Sequence, residues 1–162
     1  MSEHLCAHIT IGGKLERSHL PELLKAITEA GVSLEWGDCC FRPATETDLL
    51  EARKNGQIFL CDEQARNGEF EELELTCRRL GLAYTRYSEG KYEYDPEIVD
   101  WRPGMKEPLI RRSSNSSEAI YVPASEVKKA LQHLEAGHVR KAKNLLRSLC
   151  PEVPKLPVFK IV

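Results

Sequence analysis

Three positions near the start of the chain, His4-x-Cys6-x-His8, carry residue types that bind zinc. Alternate side chains of a strand share a face, so both imidazoles and the thiol would point the same way, with Cys39 or Cys40 as a fourth ligand. Closed structural zinc sites use C-x₂₋₄-C pairs, however, and the same pattern describes an edge strand with its polar residues outward. A second group is Glu35-Trp36-Gly37-Asp38-Cys39-Cys40, where acid, aromatic and thiol adjoin. A thiol near a histidine and a carboxylate is the minimum for nucleophilic catalysis. His4, His8, Asp38 and Cys39 are therefore the candidates for a small-ligand or metal-dependent enzyme, although their spacing matches no hydrolase motif. Gly12-Gly13 lacks the further glycine and the Lys-Ser/Thr of a phosphate-binding loop, which argues against a nucleotide enzyme.

Charge points to binding. The formal net charge of -2 hides a division: residues 1 to 105 carry 12 Lys+Arg against 20 Asp+Glu, and residues 106 to 162 carry 11 against 5. Between 57 and 105 there are 11 acids against 6 bases, concentrated at Asp62, Glu63, Glu69, Glu71, Glu72 and Glu74 and again at Glu89, Glu93, Asp95, Glu97 and Asp100. Carboxylates in a helix's first turn favour its positive end, which explains part of the run. The remainder predicts an acidic face for a protein partner with a basic surface. Tyr92, Tyr94, Trp101 and Arg102 add the residue types that dominate binding hot spots. The expected partner-binding set is thus Glu69, Glu71, Glu72, Tyr92, Tyr94, Glu97, Trp101 and Arg102. The plainer alternative is a solvated surface, with Tyr92 and Tyr94 in a cross-strand ladder and Trp101 packed beneath the following segment.

The second half offers a contrasting surface. Lys128, Lys129, Arg140, Lys141, Lys143 and Arg147 would give a helical hairpin a basic outer side able to contact phosphates. No recognition motif or interleaved aromatic accompanies them, and docking against the acidic half accounts for them equally well.

The elements that must position these residues follow from apolar period. Laying His8–Gly12 over Ile58–Asp62 at an offset of fifty places Leu20, Leu23, Ile27, Gly31, Val32 and Leu34 on Phe70, Leu73, Cys77, Gly81, Leu82 and Tyr84. Each copy reads strand, helix, strand. The first has a strand from His4 to Ile11 ended by Gly12-Gly13, a helix from Ser18 to Gly31, and a strand from Val32 to Trp36. Thr45 with Asp48 predicts a capped short helix closing at Asn55-Gly56. The second has a strand over Gln57–Cys61, a helix opened by Asn67 or Gly68, and a strand over Leu82–Tyr87 paired in a hairpin with Tyr92-Glu93-Tyr94.

The fold expected is α+β: a ferredoxin-like sandwich from a duplicated strand-helix-strand unit in an acidic domain over 1–105, plus a C-terminal helical hairpin. Residues 106–118, with Arg111-Arg112-Ser113-Ser114-Asn115-Ser116-Ser117, read as a flexible linker. A short strand over Ala119–Val122 would follow. Residues 119–162 then form a basic hairpin packed on the first part, with Val127, Leu131 and Leu134 inward and Gly137 at the turn; its second helix is similar to half of a tetratricopeptide-type repeat. A proline-rich tail ends in Val158-Phe159-Lys160-Ile161-Val162, able to extend a sheet edge. No apolar run approaches the roughly 20 residues that span a bilayer, and Met-Ser-Glu-His is unlike a signal peptide, so a cytoplasmic protein with free thiols and no membrane association is expected.

The stretch Cys61–Leu73, with Glu93-Tyr94-Asp95-Pro96-Glu97 and Arg102-Pro103-Gly104-Met105, resembles uncharacterised small proteins of phages and other mobile elements. That resemblance implies inhibition of a host defence or regulatory protein by an acidic binder. The leading expectation is accordingly a non-enzymatic protein-binding module.

Overall fold

The computed structural model describes residues 3–91, 95–114 and 119–162. The protein is α+β, with one seven-stranded sheet and five helices among the described residues. Strand β1 (His4–Leu15) is its axis. Alternation buries Leu5, Ala7, Ile9 and Ile11 on one face and turns His4, Cys6, His8 and Thr10 to the other. Antiparallel to β1 on either side run β3 (Gln57–Arg66) and β4 (Ala83–Ser88). The sheet continues through β5 (Glu97–Trp101) and β6 (Leu109–Arg112), and β2 (Arg53–Lys54) closes the far edge against β3.

Helices α1 (Leu20–Ala30) and α3 (Glu71–Arg79) cover the apolar face of β1 and its neighbours. Leu23 and Ile27 of α1 meet Leu73 and Cys77 of α3 over Ile9, Ile11, Leu60 and Tyr84 in one core. The helix between them, α2 (Glu46–Glu51), starts as its sequence requires: Thr45 Oγ1 accepts from the Asp48 N–H, and Asp48 Oδ2 accepts from the Thr45 N–H at 2.7 Å. It ends at Glu51, because Asn55-Gly56, both at positive φ, turn β2 into β3 instead of closing the helix.

Several expectations are corrected. Gly12-Gly13 do not end β1, which runs on to Leu15 because the C-terminal strand β7 (Phe159–Ile161) pairs parallel with residues 13–15. The Val32–Trp36 strand is a single bridge between Ser33 and Cys61. On the side away from β1, β4 pairs with β5, while the Tyr92-Glu93-Tyr94 half of the expected hairpin lies outside the described residues. Strand β6 stands within the stretch read as a linker, held by pairing of Glu97–Asp100 with Leu109–Arg112; Ala119–Val122 is not a strand.

The tail is docked on its own chain. Phe159 is fully buried, its N–H donates to Gly56 O at 2.8 Å, and Gln57 Nε2 donates to Leu156 O at 2.8 Å. Gly12 makes room for it: a Cβ there would lie 2.0 Å from Pro157 O, a backbone atom that cannot swing aside. Gly12→Ala is therefore expected to lift residues 156–162 from β1 while leaving the α1–α3 core folded. Hydrogen exchange at the Phe159 and Val162 amides checks this, and unchanged protection would contradict it.

Helices α4 (Ala124–Glu135) and α5 (Val139–Leu149) form the expected hairpin, turning at Gly137. Its burial differs from expectation: only Ala130 and Ala142 are buried, and Val127, Leu131 and Leu134 stay 43 to 53% exposed. No helix among the described residues is long and apolar enough to cross a membrane.

Candidate functional site: an acidic cleft over a buried arginine

Strands β5 and β6 extend the sheet past β4, and between them and the turn at Asn67–Glu69 lies a cleft of about 440 Å³. Asn67, Glu69, Ser88, Asp95, Glu97 and Arg112 supply its polar lining, and Leu5 and Ile110 its apolar lining. Period two puts Arg86 of β4 in phase with Ile9 and Val99, on the core side, so an arginine enters an otherwise apolar row. It is 3% exposed. Nη1 donates to Gly68 O at 2.6 Å and Ser88 Oγ at 3.3 Å, Nη2 to Glu97 Oε1 at 2.7 Å, and Nε lies 2.8 Å from Glu74 Oε1. The same Glu74 oxygen accepts the Phe70 N–H at 3.2 Å, tying the arginine to the start of α3.

The turn Asn67-Gly68 aims the acids. Asn67 (φ 53°) and Gly68 (φ 69°) are both left-handed, and Asn67 Oδ1 is held by the Glu3 N–H at 3.1 Å. A Cβ on Gly68 would meet Ser88 Cβ at 2.6 Å, so glycine is required where the turn crosses β4. Glu69 leaves this turn at the rim, and Glu71 and Glu72 follow on the exposed first turn of α3. These two line an adjoining cleft of about 620 Å³ that shares Asn67 and Glu69 with the first. Partial desolvation at the rim raises the Glu69 carboxyl; Arg86 opposes the shift, and Glu74, Glu97 and Glu71 add to it. Asp95 pairs with Arg112 at 3.4 Å on the surface, a contact of little energetic weight.

Of the expected partner-binding residues, Glu69, Glu71, Glu72 and Glu97 come together at these clefts. Tyr92 and Tyr94 lie outside the described residues. Trp101 and Arg102 are a correction: they are 7 and 8% exposed and hold the fold together. Trp101 stacks on Tyr84 with ring centroids 6.3 Å apart, because its phase on β5 faces the core. Arg102 donates to Tyr84 O at 2.6 Å and Pro154 O at 2.8 Å and pairs with Asp100, which Thr85 and Arg111 also engage. Arg86, Asn67 and Ser88 are site residues beyond the expected set: Asn67 reads in the sequence only as a helix opener, and the one signal for Arg86 is a charge at an inward strand phase.

The metal and enzyme candidates sit on the opposite face of the sheet. His4, Cys6 and His8 do share that face. His4 Nδ1 is 2.8 Å from Gln64 O, the Cys6 thiol donates to Glu63 O at 3.7 Å, and the His8 ring packs against Phe59, Tyr87 and Trp36. Burial and Glu89 push the Cys6 thiol up, away from a reactive thiolate. Asp38 and Cys39 are exposed on the loop after Trp36. No three His, Cys, Asp or Glu side chains converge as metal ligands among the described residues. Lys128, Lys129, Arg140, Lys141, Lys143 and Arg147 are all exposed on α4 and α5. No family model, curated protein or solved structure matches the chain.

Proposed function

We propose that this chain is a non-enzymatic protein-binding module whose acidic face, formed by Glu69, Glu71, Glu72, Asp95 and Glu97, receives a basic segment of a partner protein. The observation that carries this reading is the convergence of Glu69, Glu71 and Glu72 on two adjoining clefts over a floor fixed by Arg86. Exposed carboxylates on a rigid rim steer a basic partner and set its register, and the clefts accept lysine or arginine stems. The resemblance to proteins of mobile elements makes the partner a host defence or regulatory protein, which binding would inhibit.

The scaffold fits a duplicated ferredoxin-like unit. Residue 33, β3, β1 and β4 lie side by side in that order, and α1 and α3 occupy equivalent places on one face. Leu23 and Leu73, Ile27 and Cys77, and Val32 and Leu82 are pairwise fully buried at the fifty-residue offset, and both helices run into a left-handed glycine, Gly31 at φ 68° and Gly81 at φ 69°.

The test is charge reversal. The protein carrying Glu69→Lys, Glu71→Lys and Glu72→Lys should keep its circular dichroism spectrum and bind a partner captured by the unaltered chain about tenfold or more weakly, mostly through slower association. A complex of undiminished affinity would remove this face from the account.

Acidification should also weaken the complex. Glu69's carboxyl is raised in the folded protein, so it takes up its proton at a higher pH than it would in the unfolded chain, and a basic partner loses that attraction as pH falls through the raised value. Glu69→Gln should flatten this part of the affinity-against-pH curve, whereas an unaltered curve would place the titration elsewhere.

A further inference from the structure

The α4–α5 hairpin turns Val127, Leu131, Leu134, Val139 and Leu146 to solvent at 41 to 53% exposure, while burying only Ala130 and Ala142. The spacing i, i+4, i+7 on α4 and i, i+7 on α5 keeps each set on one helix face. Bases border this apolar stripe. Lys143 is one turn beyond Val139, and Arg147 adjoins Leu146. Lys128, Arg140, Lys141, Lys143 and Arg147 take part in no ion pair among the described residues; Lys129 pairs with Glu126. The acids of the hairpin are two, Glu126 and Glu135.

We propose that this face is a docking site for an amphipathic helix of a protein partner that carries acidic residues beside its own apolar stripe. Apolar residues spaced one turn apart on two adjacent helices accept a third helix by the groove mode of recognition. The unpaired bases along the border select an acidic occupant. A second copy of the chain would bring the same bases together, a like-charge juxtaposition that opposes pairing. Nucleic acid would leave the aliphatic stripe unused, and the hairpin has no Phe, Tyr or Trp on which bases stack. This site is separate from the acidic cleft and does not depend on it.

The test measures fluorescence anisotropy with the full-length protein and three labelled synthetic helical peptides. They share a leucine stripe at i, i+3, i+4 and i+7 and differ in flanks of glutamate, glutamine or lysine. The glutamate peptide should bind most tightly and the lysine peptide least. Leu131→Asn with Leu146→Asn, and separately Lys143→Glu with Arg147→Glu, should each weaken the glutamate peptide about tenfold or more with unchanged circular dichroism, since all four side chains are exposed. Equal binding of the three peptides, or none at a peptide concentration of about 100 μM, a weak limit on the affinity scale, would overturn the proposal. It would equally fall if a single-stranded oligonucleotide bound in a manner sensitive to the charge variants alone. Sedimentation showing a dimer that Leu131→Asn with Leu146→Asn dissolves would make the occupant a second copy and overturn it too.

Discussion

Arg86→Ala should cost about 3–5 kcal/mol of folding stability, the range for removing one partner of a buried ion pair. The guanidinium is 3% exposed and satisfies two carboxylates, Glu74 and Glu97, together with Gly68 O. Without it, Glu74 keeps its bond to the Phe70 N–H, but its charge faces the core uncompensated. Burying the arginine required its own desolvation, so the net worth of the network is much smaller than the cost of breaking it. Urea unfolding followed by circular dichroism measures the difference. A loss below about 1 kcal/mol, the scale of a surface pair, would show that the carboxylates do not depend on Arg86. Adding Glu74→Ala to the variant should recover part of the loss, because the two changes remove one interaction and their costs do not sum.

Asp100→Ala should have a comparable effect on the other side of the sheet, again about 3–5 kcal/mol. Asp100 is 2% exposed, accepts from Thr85 Oγ1 at 2.8 Å, and pairs with both Arg102 and Arg111. Removing it leaves two guanidinium groups, at 9 and 21% side-chain exposure, facing one another with no carboxylate between them. Desolvation already lowers the affinity of Arg102 for its proton, and Asp100 is the group that opposes this. Because Arg102 also donates to Pro154 O, the tail should loosen with it. Two-dimensional NMR would show the Phe159 and Val162 amides shifting along with those of β5 and β6. Shifts confined to β5 would break the link between Asp100 and the tail.

The parts of the fold legible in the sequence are those set by local periods. Leu5, Ala7, Ile9 and Ile11 alternate and are buried on one side; Leu23 and Ile27, four apart, face the core from α1; Thr45 and Asp48 cap α2 as their spacing requires. What stayed hidden depends on contacts between residues far apart. Leu109–Arg112 is too charged to read as a strand, and becomes one because Arg111 reaches the buried Asp100. Gly12-Gly13 looks like a strand end until a tail nearly 150 residues later lies against it. Arg86 reads as a surface residue unless Glu74 and Glu97 are known to meet it. The candidate site divides in the same way. The acids of the β3–α3 turn could be read as a cluster, but composition could not distinguish Glu97 at the cleft from Trp101 in the core four residues on.

The apolar period identified α4 and α5 correctly, and it implied an inward face because most such faces are buried by their own chain. Here Leu131 and Leu134 remain exposed, so the period reports a face that needs a cover without stating where the cover comes from.

Native mass spectrometry of the chain purified from its own host, with and without nuclease treatment, shows whether the acidic face binds a basic protein. The expected result is a protein–protein complex whose mass survives nuclease and which is absent when Glu69, Glu71 and Glu72 are replaced by lysine. A bare chain, or a complex that nuclease removes, would contradict it.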